Sequence, residues 1–540
     1  MYGVLCGSTG HDDSHITFWQ AHTLLAHGEL LNYNGARVEQ SSSLLLVLLT
    51  ALAGLAGLPL VTAGYLINLA GAVATLAAVW AGARRAGLTT PWLPVLLVAL
   101  TPYFAYWAWS GMETTLAAAV ALLFVLAVER WLQQPDAMRA ALLALSALAL
   151  AAVRPEMVLV GPALLVAVAV LLRRPGLLPF VLCFAALAAW RHGYFGQWLP
   201  NPVYTKSGDP GLAQLQRGID YSLRLFRHPL SATGVSLTLL GLAGSVFVAL
   251  RRRSPLLVVC CLWTLIYAGF VVSSGGDWMK EGRFWVPLVA PLWLATCLAW
   301  TGDWGRWLPR LALPLLLAYS PSFISAYSLG TPWWQHARLR AIAGPDASVF
   351  ELANREHLRE WPALQVLQQA IPQLAREPGK PLTLMSKQMG MLNFHLLQAY
   401  GTGLQVIDMA GLVDNRLRDC PVMALDGFDV QGLRLNYRKF FDRLPAARLE
   451  CGIEAPDIIH DLYGWGESVP LPDFLATQGY AIVFRQTGQL AIQPGRVISA
   501  QQMVAIRRER LAGGAVETRW LDLGALLGEA NGPVAVGEFR

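Results

Sequence analysis

From Val61 onward the chain repeats one pattern: an apolar run of membrane-spanning length, a short polar loop, then another apolar run. A helix needs about 20 mostly apolar residues to cross the hydrocarbon core. Runs of roughly that size fall at about 62–82, 92–109, 114–130, 140–154, 157–172, 177–190, 233–250, 255–273, 284–300 and 307–325. The apolar stretch 140–172 is divided at Arg154-Pro155-Glu156, because Pro interrupts the helical ladder and two charges are costly at the bilayer centre. Only 14% of the 540 residues are charged, against about 25% in a soluble domain, and mean hydropathy is +0.44. These values exclude a soluble globular chain and predict a polytopic membrane protein. The 20 tryptophans suit rings placed at membrane interfaces.

The net charge of +6 comes from arginines gathered in short loops rather than in a basic face, so no nucleic-acid partner is expected. Taken alternately, one set of loops holds Arg84-Arg85, Arg130 and Arg139, Arg173-Arg174, Arg251-Arg252-Arg253 and Arg306. The positive-inside rule puts these in the cytoplasm. The other set holds Ser110-Gly111-Met112-Glu113, Arg154-Pro155-Glu156, the 191–232 loop, Gly275-Gly276-Asp277-Trp278 and everything after 330. On this topology the second set faces the periplasm of a bacterial inner membrane. Ser42 to Leu58 is apolar but is followed almost at once by the next span, which favours an interfacial or re-entrant helix on the outer side; the alternative is a crossing segment, which would put Asp12-Asp13 opposite the other polar motifs. No span or signal peptide precedes the N-terminal polar stretch, which points to a first transmembrane helix missing from the N-terminus.

Three parts are expected: a first periplasmic loop with interfacial helices over 1–60, a transmembrane domain over 61–328, and a periplasmic α/β domain over 329–540. The last is polar throughout. Its short runs Leu382-Thr383-Leu384-Met385, Val406-Ile407 and Tyr480-Ala481-Ile482-Val483-Phe484 read as strands alternating with helical patterns such as 361–375. The fold class is thus mainly α, a helical bundle followed by an α/β domain. Cys183, Cys260, Cys261 and Cys297 lie in apolar runs and read as small hydrophobes. Cys6 stands alone, and no cysteine spacing resembles a zinc site. Cys420 and Cys451 are the two cysteines well inside the outer domain, and they are predicted to pair there.

The polar motifs all fall on the outer face. Asp12-Asp13 offers a general base for an acceptor hydroxyl or ligands for a divalent cation; the alternative is a cap on the amphipathic stretch that follows. Arg37 and Glu39 sit in the same loop and are otherwise ordinary solvated charges. Glu113, in Gly111-Met112-Glu113-Thr114, is either a site residue or a carboxylate favoured at a helix N-terminus. Arg154 suits a lipid phosphate or an internal pair with Glu156. Trp198-Leu199-Pro200-Asn201-Pro202-Val203-Tyr204-Thr205-Lys206 suits sugar stacking and phosphate contact, or an aromatic anchor. Gly275-Gly276-Asp277-Trp278-Met279-Lys280-Glu281-Gly282-Arg283 is the densest polar cluster between two spans. In the outer domain, Asp408 and Asp414 flank Met409-Ala410-Gly411-Leu412-Val413 after a strand, as site residues or turn formers.

The order of these motifs is more specific than any one of them. Asp-Asp-x-x-Ile-Thr-Phe at 12–18, Gly-x-x-x-Asn-Tyr-Asn-Gly-x-Arg-Val-Glu at 28–39, Gly-Met-Glu-Thr, Arg-Pro-Glu, Leu-Pro-Asn-Pro-x-Tyr-x-Lys, Gly-Gly-Asp-Trp-Met with Arg-Phe, and Asp-Met-Ala-Gly-Leu-x-Asp follow one another. This string resembles polytopic glycosyltransferases of the GT-C superfamily. Within it, the chain resembles the group containing the terminal arabinofuranosyltransferase of mycobacterial walls and the type IV pilin arabinosyltransferases. The resemblance implies a polyprenyl-phosphate sugar donor, inverting transfer outside the cytoplasmic membrane, and a catalytic carboxylate in the first outer loop, which maps onto Asp12 or Asp13.

The reading is therefore a periplasm-facing membrane glycosyltransferase moving an arabinofuranosyl or similar pentose unit to a cell-envelope glycan or pilin. Asp12 and Asp13 are the catalytic candidates. Arg154, Lys206, Lys280 and Arg283 are the candidates for neutralising the leaving phosphate. Glu39, Glu113, Asn201, Tyr204, Asp277, Trp278, Asp408 and Asp414 are expected to line the substrate site. No cofactor is assigned, and a divalent cation is left open. Two other classes fit the membrane pattern: a transporter or flippase of lipid-linked sugars, which would need midplane charges and repeat symmetry, and a membrane-anchored envelope assembly protein, which would not need the series of polar loops.

Overall fold

The structure is a computed structural model. It describes residues 11–206, 211–224, 254–277, 279, 282–299, 335–343, 348–353, 355–423, 437–463, 471–493 and 496–511, with isolated positions at 243, 245–246, 248–249, 310 and 516. The described residues fall into two compact units. One comprises 42–199 with the described part of 209–330; the other comprises 11–41, 200–206 and the described residues after 330. Residues 11–41 are thus grouped with the C-terminal residues.

The first unit is helical. Among the described residues, four helices are long and apolar enough to cross a membrane: Leu60–Arg85, Thr114–Gln133, Pro175–Phe195 and Pro255–Ser273. Leu44–Leu55, Ala137–Val153, Met157–Leu171 and Arg283–Ala299 are shorter apolar helices. The expected spans at 233–250 and 307–325 fall almost wholly outside the described residues. The expected run 92–109 is two helices, Trp92–Ala99 and Pro102–Trp107, because Pro102 cannot continue the ladder of the first. The 140–172 stretch does divide at Arg154, which is extended between the two helices.

Thr114–Gln133 packs against Leu60–Arg85, Ala137–Val153, Pro255–Ser273 and Val286–Ala299, and so occupies the middle of the bundle. It runs parallel to Leu60–Arg85. Near their starts, Asn68 accepts from the Thr115 backbone N–H at 3.2 Å. Near their ends, Arg85 donates to Glu129 at 2.8 Å. Gly71 permits the contact, since a Cβ there would lie 2.6 Å from the Leu116 backbone. Close approach over small residues is the usual basis of helix packing in lipid.

The second unit is built on a five-stranded sheet in the order β2-β1-β3-β5-β4, with β1 Leu382–Ser386, β2 Leu404–Asp408, β3 Ile458–Tyr463, β4 Tyr480–Gln493 and β5 Arg496–Arg507. β1 pairs in parallel with β2 and β3, while β5 is antiparallel to β3 and β4. The β1–β2 crossover is the helix Met391–Tyr400, as parallel pairing requires. The N-terminal helix Ser14–His27 packs on this crossover helix and ends at Gly28, whose φ of 70° lets its N–H turn back to Leu24. Cys420 and Cys451 form a disulfide with Cα atoms 5.8 Å apart, inside the apolar core of this unit. Cys260, Cys261 and Cys297 are buried in the helical unit as expected.

Candidate active site

The two carboxylates of the first loop have different surroundings. Asp12 accepts from the backbone N–H of Gly390 at 2.9 Å and of Met391 at 2.6 Å. It therefore sits at the N-terminus of the crossover helix, where unpaired amides and the helix dipole favour an anion. Burial, and then the neighbouring Asp13, nevertheless push its pKa up to about 6. Asp13 stands at the N-cap position of Ser14–His27 but makes no side-chain cap bond. Its carboxylate is half-buried and has no hydrogen-bond partner among the described residues. So Asp12 caps a helix other than the one it precedes, and Asp13 caps none.

Around this pair the second unit gathers three motifs that lie far apart in sequence. Asn32 donates to the Val413 carbonyl at 2.9 Å, and Asn34 exchanges two bonds of 2.8 Å with the Val406 backbone. Asn201 donates to the carbonyls of Gly411 and Leu412, both at 2.8 Å, and Thr205 donates to Gly411 at 2.7 Å. Arg418 in turn donates to Asn201 and lies 6.0 Å from the ring of Tyr204. Asn201 is therefore a positioning residue for the 408–414 loop. Asp408 holds the same loop from inside, accepting from Ala410 and Val413, each at 2.7 Å. Burial pushes Asp408 up to about 7 in spite of these donors. Asp414 is buried and paired with Arg416 at 2.8 Å. Glu39 is buried too, and its carbonyl accepts from the Asn201 N–H at 2.9 Å. Lys206 ends the short helix Asn201–Lys206.

Tyr33 belongs with this group although its residue type alone gave no reason to select it. Its ring is buried, its hydroxyl has no partner among the described residues, and it feels the charges of Asp12, Asp408 and Asp13. Burial first, and those three carboxylates after it, raise its pKa well above the usual phenol value. The signal available in the sequence was its place between the two loop-clamping asparagines.

The first unit brings together its own motifs. Arg154 donates to Glu113 at 2.8 Å and to Glu156, and the Tyr267 hydroxyl donates to Glu156 at 3.2 Å. All three charged side chains are less than a tenth exposed. The guanidinium lies 4.8 Å from the Phe284 ring. Arg283 pairs with Asp277 at 2.7 Å and approaches Met112 Sδ at 3.7 Å. Gly276, at φ 73°, lies against Tyr221, where a Cβ would meet the ring at 2.4 Å. The motifs at 111–114, 154–156, 275–277 and 283–284 thus form one buried polar cluster. Its bookkeeping of charge matters: Glu113 and Glu156 together more than neutralise Arg154. Trp278 and Lys280 lie outside the described residues.

A third cluster comes from histidines that no local spacing reveals. His15 Nε2 and His395 Nε2 lie 2.9 and 2.7 Å from the same oxygen of Glu351, and the three ligand atoms lie within 4.8 Å of one another. All three residues belong to the second unit. They could hold a metal ion, and they keep open the divalent cation that the sequence left undecided.

No family model and no curated protein matches this sequence. Solved structures do. ArnT from Cupriavidus metallidurans bound to undecaprenyl phosphate matches at 14% identity over 93% of this chain and 96% of that chain, with a TM-score of 0.51. The Archaeoglobus fulgidus oligosaccharyltransferase in complex with Zn and sulfate matches at 13% identity over 90% of this chain and 71% of that chain, with a TM-score of 0.47. The ArnT likeness shows the fold: a helical unit with several apolar helices, followed by a sheet-containing C-terminal part.

Proposed function

We propose that this chain is a membrane-embedded glycosyltransferase of GT-C type that takes its sugar from a polyprenyl-phosphate donor. The observation that carries the reading is the asymmetry of the acid pair. Asp12 is held by two backbone amides, whereas the Asp13 carboxylate beside it makes no hydrogen bond among the described residues. A fixed carboxylate next to an uncommitted one is what a general base and its orienting partner require. ArnT, which shares the fold, was solved with undecaprenyl phosphate, and this supports a lipid-linked donor here.

In this mechanism Asp13 takes the proton of the acceptor hydroxyl as its oxygen attacks the anomeric carbon. The bond from that carbon to the phosphate oxygen breaks, the configuration inverts, and polyprenyl phosphate leaves with one more negative charge. Lys206, Lys280 and Arg283 are the cations proposed to receive that charge. Arg154 is proposed with them, although a phosphate must compete there with Glu113 and Glu156. Glu39, Asn201, Tyr204, Trp278, Asp277, Asp408 and Asp414 are proposed to shape the substrate site, most of them by holding loops.

The motif order supports an arabinofuranosyl or similar pentose as the sugar, with an envelope glycan or pilin on the periplasmic side of the inner membrane as acceptor. Purified protein in sealed lipid vesicles, given labelled polyprenyl-phosphate pentose or hexose with envelope acceptors, tests this. Transfer from the pentose donor with inverted anomeric configuration is expected. Transfer from the hexose donor alone would replace the sugar assignment; transfer from neither, with the lipid donor flipped across the bilayer instead, would replace the enzyme.

A further inference from the structure

We infer that His15, Glu351 and His395 form a transition-metal site of the zinc type in the second unit. The residues come from three elements: the N-terminal helix Ser14–His27, the turn Val349–Leu352 and the helix Met391–Tyr400.

Glu351 is set up as a one-oxygen ligand. Its Oε2 accepts from the Ser348 N–H at 2.8 Å in a capping box, and its Oε1 faces both imidazoles. His15 shows why a cation fits there. Its Nδ1 lies 3.4 Å from the Asp12 carbonyl, which can only accept. A neutral ring donating from Nδ1 turns an unprotonated Nε2 toward a carboxylate oxygen at 2.9 Å. Two acceptors do not face each other at that distance without a positive charge between them, either a proton or a metal ion. A hydrogen bond from the other ring nitrogen to a carbonyl is also how metal-bound histidines are commonly oriented.

His357 packs against this group: it is fully buried and its ring centroid is 5.1 Å from that of His15. Two imidazoles with one carboxylate is a zinc-type donor set. The N–O spacings of 2.7 and 2.9 Å are hydrogen-bond lengths. Ligand atoms on one tetrahedral zinc stand about 3.3 Å apart, given bonds of about 2.0–2.1 Å, so each ring nitrogen would draw back from the Glu351 oxygen by about half an ångström, and the three ligand atoms already lie within 4.8 Å of one another. The metal would tie the helix that follows Asp12 and Asp13 to two elements of the α/β body.

The full chain, purified in detergent through a tag that carries no histidines or chelated metal, is analysed for bound metals by mass spectrometry. Chelator-stripped protein is then titrated with cobalt(II). The expected result is about one zinc per chain and a visible cobalt spectrum of tetrahedral type with nitrogen and oxygen ligands. Glu351→Gln and His395→Gln, which keep hydrogen-bonding capacity and bulk, should each lose the metal. Metal-free protein that also fails to take up cobalt overturns the site and leaves a proton shared between the three groups. Full occupancy in both variants overturns it equally. Because the readout is metal content, the result is independent of whether any sugar is transferred.

Discussion

Asp12 and Gly390 are 378 residues apart in sequence, and the Gly390 N–H donates to the Asp12 carboxylate at 2.9 Å. The contact leaves no room for a side chain: a Cβ on Gly390 would lie 2.0 Å from the Asp12 backbone oxygen and 2.1 Å from its Oδ1. Gly390→Ala should therefore displace the acid pair while leaving the rest of the crossover helix intact. A displacement of about an ångström at a reacting group lowers turnover on the order of 100-fold. Transfer rates at normal expression and membrane insertion check this; an alanine variant with wild-type turnover would separate the pair from the chemistry.

The Arg154 cluster gives a stability prediction. Arg154→Ala leaves Glu113 and Glu156 buried without their cation. Breaking a buried pair in this way destabilises by about 3–5 kcal/mol. Replacing all three at once, Arg154→Met with Glu113→Gln and Glu156→Gln, should restore much of the loss. Thermal unfolding in detergent distinguishes the two. Equal destabilisation by both variants would mean that packing on Phe284 matters more than charge.

The disulfide closes a loop of 31 residues. Its removal in Cys420→Ser with Cys451→Ser should lower stability by about 3–4 kcal/mol through the freer unfolded chain. Limited proteolysis of the wild type with and without reductant reports the same change. No shift in either assay would contradict it.

Asp408 supplies a pH dependence. Burial raises its folded-state pKa to about 7, whereas the unfolded value is about 3.9. Between those values the folded form holds a proton that the unfolded form has lost, so stability falls as pH rises from about 4 to about 7, then levels off. Asparagine does not titrate. The margin by which the wild type exceeds Asp408→Asn should narrow across that window in thermal melts, and a margin that widens would show that the loop amides hold Asp408 ionised.

Much of the bundle was legible because hydropathy and proline act locally. Arg154-Pro155-Glu156 marked a helix break that the structure contains. Pro102 marked another, which the apolar run around it concealed. β3 was missed because His460 and Asp461 interrupt its apolar pattern, and both are fully buried beneath the sheet's neighbours. The contacts that position the candidate site residues were not legible in the sequence. Nothing near Asp12 reveals that its partner is Gly390, and Glu351, His357 and His395 meet His15 only through folding. Nor does anything near Asn201 in sequence reveal that its amide donates to the carbonyls of Gly411 and Leu412.

The central claim rests on Asp13. Initial rates of transfer from a labelled polyprenyl-phosphate sugar, measured for wild type, Asp12→Asn and Asp13→Asn at matched protein levels, test it most directly. A positioned base contributes roughly 10²–10⁴-fold. Asp13→Asn should lose that much in turnover with its thermal midpoint unchanged, whereas Asp12→Asn, which keeps one acceptor for the Gly390 and Met391 amides, should lose less and melt lower. Wild-type turnover in Asp13→Asn would contradict the account.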